Sequence, residues 1–205
     1  SEPETRDGFL STGYPKLDAS LNGGLPVSGV HLIEIDPEVD SLQTQVIPAS
    51  ILTRYAKHGN GCIWIPNQMI PRLNSEHAQV PFLDNEDFEK QLKIFRSLVP
   101  SGSTSRDAIK DAGKDLSYDL RVEKISYYLD GMAKPYLYLL DLSALESLYG
   151  EQFIDQLFFL IGTTSNRGDT FILVGPPESP SMKRLQEQAT THIKLEQVHG
   201  TTILY

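Results

Sequence analysis

Gly23-Gly-Leu-Pro-Val-Ser-Gly-Val-His-Leu-Ile-Glu-Ile-Asp-Pro-Glu-Val-Asp-Ser-Leu42 joins a glycine stop, an apolar run and an acidic turn. Val30 to Ile35 is apolar and partly β-branched, which predicts a core strand. Asp36 to Asp40 carries turn chemistry, with proline directly after aspartate. Upstream, Leu17 and Leu21 are four residues apart and so share one helical face. Asn22-Gly23-Gly24 then stops that short helix, because glycine tolerates the left-handed cap. Downstream, Val46, Ile47, Ile51, Leu52 and Tyr55 have helical spacing across Ser41 to His58. Pro48 costs about 3 kcal/mol inside a helix, so a bend or a late start is expected there.

The same alternation continues along the chain. Gly61 to Ile65, Pro135 to Asp141 and Thr170 to Val174 read as further strands. Asp84 to Val99, Leu120 to Leu129 and Glu151 to Ser165 read as helices. The tail, His192 to Glu196 and Thr201 to Tyr205, reads as two strands around His199-Gly200, a hairpin signal. Strand and helix in turn predict an α/β fold: a mostly parallel sheet with helices on both faces and a C-terminal β-hairpin. Residues 1–10 read as a flexible arm and residues 11–205 as one domain.

With 205 residues the chain can bury one full core. Its net charge of −9 repels phosphate backbones, which disfavours broad nucleic-acid binding. The single cysteine, Cys62, can form neither an internal disulfide nor a cysteine-based zinc site. It is expected to be a core thiol in a cytoplasmic protein. No apolar run reaches the roughly 18 residues that span a bilayer, so no membrane role is expected.

The stretch Ser11 to Val27 resembles the entry to the RecA/KaiC-like ATPases. Thr12-Gly13, Leu17-Asp18 and Gly23-Gly24-Leu25-Pro26 stand in the family's order before the first strand. Tyr136 to Asp141 is similar to the family's strand that ends in the magnesium-site aspartate, and Leu142-Ser-Ala-Leu-Glu-Ser-Leu148 follows it. The resemblance covers most of the chain and is weakest from Asn67 to Tyr128. It implies a RecA-like sheet and subunits that stack as dimers or rings.

The chain departs from that family where ATP would bind. A working relative has G-x-x-x-x-G-K-[ST] after the first strand: backbone amides wrap the phosphates, lysine reaches them, and the hydroxyl holds magnesium. Here Ile35 stands at the first glycine position, followed by Asp36, Pro37, Glu38 and Val39. Asp40 stands at the second glycine, Ser41 at the lysine and Leu42 at the hydroxyl. No lysine lies between Lys16 and Lys57, so a one-residue slip restores nothing. Asp36, Glu38 and Asp40 put about three negative charges where a triphosphate brings roughly four more, a repulsion of several kcal/mol without a metal. Relatives also carry a glutamate base just after the second strand. This chain has Pro66-Asn67-Gln68, and an amide is a poor base. Asp141 remains as a vestigial magnesium-site position, with a helix cap as its alternative role.

Other features point to less specific roles. The acidic turn fails the EF-hand pattern, because Glu38 stands in the middle acidic place and no glycine follows Asp40. The five histidines, His31, His58, His77, His192 and His199, form no spaced metal pair. Their nearest acidic neighbours in sequence are Glu76 beside His77 and Glu34 near His31. There is no G-x-S-x-G nucleophile elbow. No cofactor and no metal are therefore expected. Arg106, Lys110 and Lys114 are interleaved with acids at helical spacing and read as a solvated helix face, with nucleic-acid contact as the alternative. Lys183, Arg184 and Lys194 form a second basic group that could pair with a neighbour's acidic turn.

The leading expectation is a pseudo-ATPase: a catalytically inactive RecA-fold subunit that assembles with itself or with other RecA-fold chains and regulates them. The RecA-fold accessory subunits of Elongator are similar in having such a core without a working phosphate loop; there the subunits form a ring and bind tRNA. A nucleic-acid-associated RecA paralogue is the alternative. An ATPase with an atypical loop is the third reading.

Overall fold

The computed structural model describes residues 8–39, 47–48, 50–52, 55, 60–65, 109–111, 122–199 and 201–204. The chain enters through β1 (Phe9–Leu10), α1 (Pro15–Ser20) and β2 (Leu25–Pro26), and β1 and β2 pair antiparallel. The central sheet follows: β3 (Val30–Ile35), β4 (Asn60–Ile65), β5 (Ile109–Asp111), β6 (Ala133–Asp141), β7 (Thr170–Gly175), β8 (Thr191–Val198) and β9 (Thr201–Leu204). Helices α2 (Val122–Tyr128), α3 (Leu142–Tyr149), α4 (Phe153–Thr164) and α5 (Pro180–Gln186) connect its later strands. Residues 47, 48, 50–52 and 55 are also helical, with Pro48 inside that run.

The strand order is β5-β4-β6-β7-β3-β8-β9. Strands β5, β4, β6, β7, β3 and β8 run parallel, and β9 returns antiparallel along β8. A parallel sheet needs both faces covered, so its strands are apolar on both sides. Every residue of β3 and of β7 is accordingly buried.

Period-two alternation sorts these side chains into two cores. Ile33, Ile35, Cys62, Leu137, Leu139, Ile172, Val174, Ile193 and Leu195 face one side, against Leu17 of α1 and the helical residues Ile47, Ile51, Leu52 and Tyr55. Leu32, Ile63, Ile65, Tyr138, Leu140, Phe171 and Leu173 face the other, against Ile125, Leu145, Phe153, Leu157, Leu160, Met182 and Leu185 from α2 to α5. The result is a sheet between two helical layers. Tyr138 and Phe171 stack in the second core with ring centroids 4.3 Å apart.

The reading of Lys110 as part of a helix face is corrected. Ile109–Asp111 forms a strand that pairs with β4, with Lys110 opposite Ile63. Charges three residues apart suit a helix surface, but pairing with a neighbouring strand determined the conformation. The helix expected over Asp84 to Val99 lies outside the described residues.

The entry motif is held by one buried carboxylate. Asp18 accepts from the Ser11 hydroxyl at 2.6 Å, from the Thr12 hydroxyl at 2.6 Å and from the Thr12 N–H at 2.8 Å. Three donors balance the cost of burying an ionised group. Gly24 follows at φ +119°, where a Cβ would sit 2.5 Å from the Leu10 carbonyl oxygen. Only glycine lets β1 and the α1–β2 turn approach so closely.

Candidate functional site at the carboxyl edge of the sheet

Open parallel sheets bind ligands beyond the carboxyl ends of their strands. Here that edge carries the turn after β3 and the aspartate that ends β6. Asp141 stands level with Val174 of β7, and Val174 with Ile33 of β3. The two features are therefore on one edge but two strand spacings apart, about 10 Å.

The turn uses its own donors. The Asp36 N–H donates to the Leu195 carbonyl at 2.9 Å, extending the β3–β8 ladder. Pro37 has no N–H. The Glu38 N–H donates to Asp36 Oδ1 at 2.9 Å. The Val39 N–H donates to the Asp36 carbonyl at 2.9 Å, closing a β-turn with proline at its second position. Val39 is 5 % exposed and anchors the turn in the first core. A phosphate-binding nest needs successive free N–H groups aimed at one point. From Asp36 to Val39 every amide donor is already spent, and Glu38 adds an exposed carboxylate. Asp40, Ser41 and Leu42 lie outside the described residues, as does Gln68 beyond β4.

Asp141 serves as the N-cap of α3. Its backbone is extended, and its side chain accepts from the Ala144 N–H at 2.9 Å. Burial pushes its carboxyl up to about 6, against the pull of the Ala144 and Ser143 amides, and Glu146 adds a like charge nearby. Glu146 in turn accepts the Ser179 hydroxyl proton. Ser179 caps α5 by accepting from the Met182 N–H at 3.3 Å. Gly175 ends β7 in the same corner, where a Cβ would meet Leu142 Cβ at 3.1 Å. These carboxylates bond the starts of α3 and α5.

A second ionic cluster escaped the sequence reading. Glu34 and His31 are three apart on β3, so they face opposite sides of the sheet. The partner of Glu34 is His192, Nε2 to Oε2 2.7 Å, with Gln186 Nε2 at 3.2 Å and Lys194 Nζ at 3.8 Å. This cluster ties β3 to β8 and α5. Its signal lay in the β3–β8 register, which sets Leu32 opposite His192 and Glu34 opposite Lys194. His31 is fully buried and pairs through Nε2 with the Pro26 carbonyl at 2.7 Å, and burial lowers its pKa to about 4. Burial likewise raises the Cys62 thiol.

Among the described residues the basic positions singled out in the sequence lie on separate elements, β5, α5 and β8. Lys110 is on β5 at one edge of the sheet, and Lys194 on β8 is near the other. Arg184 pairs with Asp155 at 2.9 Å and lies 5.3 Å over the Phe158 ring, and Lys194 faces Glu34. Lys183 is exposed in the last turn of α5. Arg106 and Lys114 lie outside the described residues. Among the described residues no group of three or more His, Cys, Asp or Glu is placed to hold a metal ion, and no helix is long and apolar enough to cross a membrane. Compared with known proteins, the chain matches no family model and no curated protein.

Proposed function

We propose that this chain is a RecA/KaiC-like protein that has lost nucleotide chemistry and acts as an assembly or regulatory subunit in a cytoplasmic complex of RecA-fold chains. The observation that carries the reading is the turn from Asp36 to Val39. Its N–H groups are spent on Leu195, on the Asp36 carboxylate and on the Asp36 carbonyl, and its side chains are acidic. In P-loop NTPases the phosphate loop and the magnesium aspartate act together on one nucleotide. In this chain their counterparts close a turn and cap a helix. The parallel α/β sheet, with the turn and Asp141 on one carboxyl edge, supports the RecA-like assignment. Of the basic residues, Arg184 and Lys194 are matched to Asp155 and Glu34.

The test is a titration of the purified protein with a fluorescent ATP analogue and magnesium, alongside light scattering for mass. No binding up to millimolar nucleotide, with a discrete oligomer present, is the expected result. Saturable micromolar binding would overturn the proposal.

A further inference from the structure

We draw no further inference here: the strongest candidate, the outward face of α4 on which Phe159 stands 66 % exposed beside Gly162 and Thr163, has nothing among the described residues to show what covers it.

Discussion

The carboxylate of Asp36 accepts a hydrogen bond from the backbone N–H of Glu38, two residues along the chain, at 2.9 Å. This Asx turn puts a side-chain carboxylate on an amide that, in the proposed RecA-like reading, a phosphate would need. Asp36→Ala should therefore lower stability by about 1 kcal/mol, the net worth of one such bond. It should still leave ATP unbound, because the Val39 N–H stays committed to the carbonyl of residue 36. Denaturant unfolding and a nucleotide titration on the same variant check both parts.

Asp18 is the one carboxylate of the entry motif, with Ser11 and Thr12 supplying three donors. Asp18→Ala should cost roughly 3 kcal/mol or more, since it strands buried donors as well as removing their acceptor. Asp18→Asn keeps one acceptor oxygen and should cost less. Thermal unfolding of the two variants should rank them in that order below the parent.

Two buried groups give opposite pH dependences over overlapping ranges. Asp141 is raised from 3.8 to about 6, so the folded state holds its proton more tightly than the unfolded state does. Its contribution is complete below 3.8 and is lost as pH rises toward 6. His31 is lowered from 6.5 to about 4, so its contribution is complete above 6.5 and is lost as pH falls toward 4. Each shift corresponds to roughly 3 kcal/mol at most. The parent protein should thus show a shallow stability profile between these limits. Asp141→Asn, which can still accept from the Ala144 N–H, should unmask a profile that rises with pH. His31→Gln should unmask one that falls. Denaturant midpoints at several pH values between 4 and 7 read these slopes directly.

Asp169 is the acceptor that organises the amino edge of the sheet. It takes the Tyr136 N–H at 3.0 Å, the Tyr138 hydroxyl at 3.2 Å and the Arg167 guanidinium at 2.9 Å. Its side chain is fully buried, while that of Arg167 is 32 % exposed. Asp169→Ala should cost about 3 kcal/mol or more, because it leaves the Tyr136 and Tyr138 donors unmatched. Arg167→Ala should cost less, because two donors still serve the carboxylate. A double-mutant cycle of the two variants should show a coupling well above the scatter expected for independent sites.

Local sequence determined the strongest elements of this protein. The apolar runs of β3, β6 and β7 read as buried strands, because they are short, rich in β-branched and aromatic residues, and apolar on both faces. The acidic turn was legible too: Asp-Pro-Glu lacks a donor at proline and brings carboxylates to the end of β3, where the proposed RecA-like reading would seat a phosphate. Helix α5 carried a readable signal in Ser179-Pro180, a capping residue followed by proline at the first helical position. Tertiary structure alone decided the rest. The charge pattern around Lys110 suits a helix surface, yet pairing with β4 made Ile109–Asp111 a strand. Nothing near Glu34 in the chain names His192, which lies 158 residues away and meets it through the β3–β8 register. The three donors on Asp18 depend on how α1 folds back over Ser11 and Thr12. Local propensity and periodicity act over a few residues, so they specify elements and turns. Strand order, register and the partners of buried charges are set by contacts between distant segments, and these determined which carboxylates became structural.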